Sequence, residues 1–200
     1  MTDAASPLPT RERLLRAARE LIEDGGYGSA PVIAIARRAG LAAGTLYRHF
    51  GSKEELFVEV FRSVCDREVE AMRSAASGNS GSHVERLEVV FATFAERALR
   101  RRRLAWALLA EPVDPLVDAE RLAYRERYAA LVAEVLRAAI AADELPEQDV
   151  ELTAAALVGG CGEALVGPLS PVGTAPPVDA VVAALRTFVR RAAGAALAVR

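Results

Sequence analysis

A chain of 200 residues, 52% of them hydrophobic, is long enough to bury one large core or two small ones without stabilising disulfides. Its formal net charge of −2 excludes a bulk electrostatic attraction to nucleic acid, so any nucleic-acid surface has to be local. Its two cysteines, Cys65 and Cys161, lie outside any metal-site spacing and predict free thiols in a reducing cytoplasm, which argues against a disulfide-stabilised secreted domain.

Helical spacing of apolar residues predicts the first two helices. Thr10 is the expected N-cap of the first, which ends at the glycine pair 25–26, and residues 1–9 before it are expected to be disordered. Pro31 suits the first turn of the second helix, where a missing N–H has no consequence, and Gly40 ends that helix. The residues expected on its buried face are Val32, Ile35, Ala36 and Ala39.

A third helix is predicted from about residue 42 to 50, with Leu46 and Phe50 buried because they share one face at i, i+4 spacing. The side chains then expected to face outward are Thr45, Arg48 and His49, with Tyr47 at the edge. Ser52 and Glu55 have the spacing of a capping box, which predicts that a long fourth helix starts here.

The rest of the chain is also predicted to be helical, because it is rich in Ala, Leu, Arg and Glu and has no segment of strand periodicity. The fourth helix is expected to reach about Ala76, before a break at residues 78–82. A loop is expected at 167–177, which contains four prolines. The other predicted helices span residues 83–100, 103–111, 115–142, 147–166 and 178–198, giving an all-α fold of about nine helices.

Residues 35–56 carry the most informative motif: a short apolar helix, a glycine turn, a second short helix with polar side chains, and a third, capped helix. This order and spacing are typical of a helix-turn-helix, in which the second helix of the pair enters the DNA major groove. The sequence GTLYRHF followed by SKEEL resembles the TetR family of bacterial transcriptional regulators, and residues 10–62 match that family's DNA-binding domain without a gap. The resemblance implies that residues 63–200 form a helical domain for ligand binding and dimerisation.

The resemblance also implies which side chains contact DNA. Lys53, at the start of the fourth helix, would meet a phosphate beside the free N–H groups there, and Tyr47 and His49 match backbone-contacting positions. Arg48 is either a guanine contact or a second phosphate contact. The other positions that match base-facing residues are Ala43, Gly44 and Thr45.

The second helix departs from the family pattern. Pro31 and Val32 lie where a Thr or Ser often meets phosphate, and Ile33 replaces a residue that is commonly polar or basic. Arg37 and Arg38 either reach phosphates or lie on a solvated face. These departures leave a second interpretation open, a dimeric ligand-binding protein whose DNA-binding motif no longer functions, and a gel shift distinguishes the two.

Residues 1–62 carry nine Lys or Arg side chains against eight Asp or Glu, so one isolated DNA-binding domain is expected to bind weakly. Two copies on a dimer double the phosphate contacts, which makes dimerisation close to a requirement. The resemblance implies a four-helix interface built from the last two helices of each copy. The residues predicted to form it are Gly159, Gly160, Gly162, Val182, Leu185, Phe188 and Val189.

The resemblance places a ligand cavity in the region of residues 83–145. The residues predicted to line it are Phe91, Phe94, Trp106, Glu111, Tyr124, Arg125 and Tyr128. Aromatic residues at helical spacing are nevertheless more often core than cavity wall. Arg97 and Arg121 are further candidates for polar contacts. The four consecutive arginines 100–103 are interpreted as a solvated turn, with a second nucleic-acid surface as the alternative.

The sequence does not favour catalysis, because it has two histidines, no nucleophile elbow, no paired metal ligands and no dinucleotide-binding loop. No cofactor, metal or signal peptide is expected, and the apolar stretch 152–167 is too short to span a bilayer. The sequence thus predicts a soluble, cytoplasmic protein that is not an enzyme. The family resemblance implies a homodimer that binds a palindromic double-stranded DNA operator as a repressor and is released by a small molecule.

Overall fold

The computed structural model describes residues 8–195, which are all-helical and contain no strand. The α-helices are α1 (Thr10–Gly25), α2 (Val32–Arg38), α3 (Lys53–Gly78), α4 (His83–Arg100), α5 (Arg102–Leu109), α6 (Pro115–Ala141), α7 (Val150–Leu169) and α8 (Val178–Ala192). Two short 3-10 helices span Tyr27–Ser29 and Ala43–Arg48, and the second is named the 43–48 segment. The all-α prediction is confirmed. Residues 1–7 of the expected disordered segment, and the predicted end of the last helix at 198, lie outside the described residues.

Two helix starts differ by one residue from the prediction. Pro9, not Thr10, occupies the N-cap position of α1, and no side chain caps that helix. Pro31 is likewise the N-cap of α2, with φ −67° and ψ 154°. In both places proline fixes φ near its preferred value and has no N–H to donate, so it fits the position before a first turn.

The 43–48 segment is a six-residue 3-10 helix at the position where the sequence predicts an α-helix over 42–50. Gly44 lowers the α-helix propensity of this short segment, and 3-10 hydrogen bonding is common in pieces of this length. Leu46 (0% exposed) and Phe50 (4%) are buried, as their spacing predicts.

The two serine-capped helices begin differently. At α3 the Glu55 N–H donates to Ser52 Oγ (3.1 Å), but the Glu55 carboxylate accepts from the Gly51 N–H (2.7 Å) instead of the Ser52 N–H. The predicted capping box is therefore only half formed. At α4, Ser82 and Glu85 form a complete capping box, which the sequence interpretation did not identify.

Two hydrophobic cores lie along α3. The N-terminal core joins α1, α2, the 43–48 segment and the first part of α3, and it includes Leu104 and Leu108 of α5 and Val117 and Tyr124 of α6. The C-terminal core joins the last part of α3 to α4, α6, α7 and α8. The N-terminal core therefore contains residues well beyond position 62, and α3 connects the two cores as one continuous helix.

The C-terminal end of α7 is extended relative to the prediction. The helix continues through Pro168 to Leu169 instead of ending at residue 166. Arg102 satisfies its terminal carbonyls, because its Nε donates to Pro168 O (3.0 Å) and its Nη2 to Ser170 O (2.8 Å). The solvated-turn interpretation of the arginine run is wrong at this position.

An ion pair of low exposure joins α4 to α8. Glu88 is buried (8% exposed), and Arg190 Nε donates to its Oε1 at 2.5 Å. Arg186 lies 3.8 Å from the other carboxylate oxygen. One carboxylate on α4 thus holds two guanidinium groups of α8.

Candidate DNA-binding surface and ligand cavity

The 43–48 segment presents its polar side chains on the surface of the N-terminal core. Arg48 and His49 are exposed and Tyr47 is 59% exposed, while Thr45 and Lys53 are half-buried. The backbone at Ala43 and Gly44 is also exposed. All seven residues predicted to contact DNA are therefore at least partly accessible. Leu46 and Phe50 are buried on the opposite side and anchor the segment in the N-terminal core.

A side chain that the sequence interpretation missed supports the turn between α2 and the 43–48 segment. Arg13 of α1 donates from Nη2 to Ala39 O (2.6 Å) and Gly40 O (3.3 Å). Gly40 has φ +65°, a conformation that favours glycine, and a Cβ there would lie 3.2 Å from the guanidinium. Arg13 therefore holds the turn of the helix-turn-helix.

The two arginines at the end of α2 differ in their surroundings. Arg38 pairs with Asp24 at 3.0 Å and with Glu20 at 3.4 Å, both on α1. Arg37 is exposed and has no carboxylate partner within 4.0 Å among residues 8–195. Ile33, in the first turn of the same helix, is 73% exposed.

A cavity of about 330 Å³ lies between α3, α4, α5, α6 and α7. Its apolar wall includes Phe61, Val64, Met72, Phe91, Phe94, Leu104, Leu108, Leu109, Tyr124 and Tyr128. Its charged residues are Glu68, Arg97, Arg101, Arg121, Arg125 and Glu163. A cavity of this volume, apolar with a few charged groups, is typical of a small-molecule site.

Five of the seven residues predicted for the cavity line it, namely Phe91, Phe94, Tyr124, Arg125 and Tyr128. The prediction is wrong for Trp106 and Glu111. Trp106 packs against the C-terminal core, and Glu111 points towards the 3-10 helix that follows α1, where its carboxylate accepts from the Tyr27 N–H (3.4 Å). Tyr128 is the centre of the aromatic wall, 5.8 Å from Phe94 and 6.3 Å from Tyr124 between ring centroids.

Both cysteines line the cavity and are buried. Burial raises the pKa of the Cys65 and Cys161 thiols to about 12, which keeps them protonated and poorly nucleophilic. Tyr124 donates to Asp66 Oδ1 (2.7 Å), and this hydrogen bond, followed by one from Arg127, lowers the pKa of the carboxyl below its ordinary value. A carboxylate at the surface thus orients a cavity tyrosine.

A polar network connects the cavity wall to the end of α1. Arg121 donates to three carbonyl groups, those of Ala107 (2.8 Å), Leu108 (2.8 Å) and Glu111 (2.6 Å), and so fixes the end of α5. Arg103, at the start of α5, donates to Gly25 O (2.6 Å). The cavity residue Arg121 is therefore joined through α5 to the helix that precedes the helix-turn-helix.

The turn at Gly26 fits tightly under this network. Gly26 has φ +80°, a conformation that favours glycine, and a Cβ there would meet the ends of the Arg103 and Glu111 side chains, which would have to move. The next residue, Tyr27, is buried against Phe57, with ring centroids 5.1 Å apart. Its hydroxyl is buried without a hydrogen-bond partner among the described residues.

Replacing Tyr27 by phenylalanine is expected to raise the free energy of unfolding by about 1 kcal/mol, because it removes a buried hydroxyl that has no partner. Urea unfolding at fixed protein concentration measures the change. The matched control is Tyr124→Phe, which removes a hydroxyl that does have an acceptor and is expected to lower stability by about as much. Equal destabilisation by both variants would contradict the assignment.

Three of the seven residues predicted for a dimer interface are covered within their own chain. Val182, Leu185 and Val189 are 8%, 5% and 0% exposed, because they form the face of α8 that packs into the C-terminal core. The prediction is wrong for these three. The apolar stripe of α8 is real, but α4 of the same chain occupies it.

The remaining interface residues lie at or near the surface of α7 and α8. Gly159 is exposed, Gly162 is half-buried and lines the cavity, and Phe188 is 43% exposed. At Gly160 a Cβ would lie 3.2 Å from the Phe188 ring, so glycine lets this ring rest on α7. The sequence interpretation judged the apolar stretch 152–167 too short to span a bilayer. Among residues 8–195, α7 is the one helix long and apolar enough to cross a membrane, by length and composition alone, and 28% of its 18-residue apolar window is buried.

Known protein families match both the N-terminal and the C-terminal part of the chain. The family model described as bacterial regulatory proteins of the tetR family matches residues 14–60, and that of the tetracyclin repressor-like C-terminal domain matches residues 80–165. UidR of Escherichia coli (strain K12) is 39% identical over 70 residues, 35% of this chain and 36% of UidR. The repressor KstR of Rhodococcus jostii (strain RHA1) is 37% identical over 92 residues, 46% of this chain and 41% of KstR. The matched region is thus less than half the length of these curated relatives.

A solved structure extends the likeness to most of the chain. The regulator FadR of Bacillus subtilis, in complex with stearoyl-CoA, superposes with a TM-score of 0.76 and 21% identity over 89% of this chain and 96% of that one. This likeness shows a shared fold from the helix-turn-helix to the last helices. The two family models agree with it at both ends, and the chain therefore belongs to the TetR family of bacterial regulatory proteins.

Proposed function

We propose that the chain is a homodimeric transcriptional regulator of the cytoplasm that binds a palindromic DNA operator as a repressor and is released by a small molecule. The observation that carries this proposal is the 43–48 segment, whose polar side chains are exposed above two buried anchors, Leu46 and Phe50. An exposed segment of this kind beside a helix N-terminus fits the geometry in which a helix enters a major groove and a neighbouring helix start meets phosphate.

The contacts divide by chemistry. Tyr47, His49 and Lys53 are proposed to contact the phosphate backbone and set the register. Ala43 and Thr45 have methyl groups suited to a thymine, and Gly44 lets the backbone approach closely. The other accessible residue of the segment, Arg48, is exposed and makes no ion pair within 4.0 Å among residues 8–195, so its guanidinium is available for guanine.

Replacing Arg48 by alanine is expected to remove discrimination at one base pair of each half-site, worth about 1–3 kcal/mol. Gel shifts with promoter fragments of the protein's own operon, and with single-base variants of the bound fragment, measure this loss. Arg73→Ala, on an exposed part of α3 beyond the N-terminal core, is the control.

A uniform loss of affinity across all DNA sequences, with a smaller salt dependence of binding, would mean that Arg48 contacts phosphate. No shifted band at low salt with any genomic fragment would favour the ligand-binding protein without DNA binding.

Dimerisation is proposed through the exposed faces of α7 and α8. Most exposed residues of α7 are small or apolar, namely Leu152, Ala155, Ala156, Gly159, Ala164 and Gly167, and the exposed charged ones are Glu151 and Glu163. Phe188 adds a partly exposed ring on α8. Small residues permit close helix approach, so two copies of this surface can form a four-helix bundle about a two-fold axis.

The cavity is proposed to take a ligand with a long apolar part and an anionic end. Aromatic and aliphatic side chains form most of its wall, and four of its six charged residues are arginines. The relative of known structure is described with stearoyl-CoA, a molecule of this class. To act as an inducer, such a ligand must bind the conformation that does not bind DNA more tightly than the one that does. Release of the gel-shift complex by micromolar stearoyl-CoA tests this step.

A further inference from the structure

We propose that Arg125 of α6 binds the anionic end of the ligand and that Glu163 of α7 limits the negative charge accepted beside it. Both side chains line the cavity and both are exposed, so they lie where the cavity meets solvent. The inference rests on the proposed function, because it concerns the ligand of the same cavity. It goes beyond that function by naming the residue that receives the charged group and the residue that opposes further charge.

Two of the four cavity arginines are already engaged within the chain. Arg97 donates to the Glu68 carboxylate from both Nε (2.5 Å) and Nη2 (2.9 Å). Arg121 donates to three backbone carbonyls from Nε and Nη2, and its Nη1 donates to the Asp118 carboxylate (2.6 Å). An anionic ligand would have to break these contacts to bind either guanidinium, and the loss would offset the gain.

The other two cavity arginines differ in their partners. Arg101 lies 3.8 Å from the Glu23 carboxylate, which partly neutralises it. Arg125 has no carboxylate within 4.0 Å and makes no side-chain hydrogen bond among residues 8–195. All its N–H donors are therefore available, and a guanidinium presents them in a planar fork that matches two oxygens of a carboxylate or a phosphate.

The position of Arg125 on α6 places it beside the aromatic wall of the cavity. Arg121 lies one helical turn before it and Tyr128 one turn after it, and both of these residues also line the cavity. Residues at this spacing share one face of a helix, so Arg125 belongs to the face of α6 that bounds the cavity. A ligand whose apolar part contacts Tyr128 thus meets the free guanidinium along the same helix face.

Glu163 is the cavity carboxylate that has no basic partner. No Lys, Arg or His nitrogen lies within 4.0 Å of it in the described part of the chain, whereas the other cavity carboxylate, Glu68, is held by Arg97. Its helix, α7, packs against α6. An oxyanion bound to Arg125 is attracted by one charge, and each additional negative charge near it is repelled by Glu163. This pair of unneutralised charges favours a singly charged group such as a carboxylate.

Calorimetric titration of the full chain with decanoate and with decanol measures the contribution of the ligand's charge, because the two ligands share one apolar chain. We expect decanoate to bind about tenfold more tightly than decanol. Arg125→Gln is expected to remove this difference and to leave decanol binding unchanged, since it breaks no side-chain contact within residues 8–195. The matched control is Arg137→Gln, an exposed arginine of the same helix outside the cavity, which should keep the difference.

Glu163→Gln tests the opposing charge. It is expected to strengthen decanoate binding about threefold and to leave decanol binding unchanged, because it removes the repulsion without changing the apolar wall. An unchanged decanoate affinity in this variant would overturn the role of Glu163.

Decanoyl-CoA identifies the source of the oxyanion. If Arg125 binds a carboxylate, Arg125→Gln weakens decanoate and leaves decanoyl-CoA unchanged; if it binds a phosphate of the thioester, the loss falls on decanoyl-CoA instead, and Arg125 remains the anion site. No loss with either ligand, or an equal loss in Arg137→Gln, would overturn the proposal and leave the cavity ligand in place.

The proposed function fails in a different way. If none of the three ligands binds the unsubstituted chain, the proposed ligand class is wrong and this inference is wrong with it. DNA binding by the unliganded protein is measured separately by gel shift. Loss of that shift contradicts the proposed DNA-binding function and leaves the titration results unaffected.

Discussion

Replacing Ala156 by arginine is expected to convert the protein from a dimer into a monomer of 21.3 kDa and to weaken operator binding by about 100-fold or more. Ala156 is exposed on α7, so its own chain accommodates a long side chain there. Across a close-packed helix interface the same side chain places a charge in an apolar contact, which is strongly unfavourable. Operator affinity falls because two tethered DNA-binding domains become two independent ones, each with little excess of positive charge.

Sedimentation velocity and gel shift on the same preparation measure both effects. The matched control is Ala130→Arg, an exposed alanine of α6 that receives the same charge away from the proposed interface. We expect this control to remain dimeric and to bind DNA normally. A dimeric Ala156→Arg protein with full operator affinity would contradict the α7 and α8 interface.

Replacing Glu88 by alanine is expected to lower the free energy of unfolding by about 2 kcal/mol, which corresponds to a Tm about 4–8 °C lower. The substitution leaves Arg190 and Arg186 without their shared carboxylate and opens space beneath α8. Breaking a fully buried ion pair costs about 3–5 kcal/mol, but both guanidinium groups keep partial access to solvent, which reduces the penalty. Because α8 also contributes to the proposed dimer interface, the dimer is expected to weaken as well.

Thermal unfolding at fixed protein concentration measures this change. Glu96→Gln is the control on the same helix, since Glu96 approaches only the exposed Arg100, at 3.8 Å, and its loss is expected to change stability by less than about 0.5 kcal/mol. Equal effects of the two substitutions would show that the Glu88 ion pair contributes nothing beyond a surface contact.

The N-terminal elements were predictable because the residues that determine them lie within a few positions of one another in the sequence. Helical spacing located Leu46 and Phe50 as anchors, and the serine of the capping box located the start of α3. The clamp of Arg13 on the turn carbonyls was not predictable, because it joins residues 26 and 27 positions apart along the chain. Periodicity identifies which face of a helix is buried but carries no information on distant side-chain donors.

The errors in the C-terminal part arise because the pattern of one helix does not specify which other element it contacts. The apolar stripe from Val182 to Val189 indicates that this face of α8 is buried, but it does not indicate what buries it. Another helix of the same chain can cover the face as well as a second copy of the chain can. Glu111 was placed in the cavity by proximity in sequence, but α5 ends there and turns its carboxylate towards Tyr27. The cavity itself depends on five helices meeting, so only part of its lining followed from the pattern of aromatic residues.

The location of the two thiols has a practical consequence. Cys65 and Cys161 are the only cysteines of the sequence, and both face the space between α3 and α7. Alkylation by a small reagent therefore requires the reagent to enter this space, and its rate reports how readily the space becomes accessible in solution. The two native cysteines thus serve as a probe of access to this space. A molecule bound between the helices should slow the alkylation of Cys65 and Cys161 together.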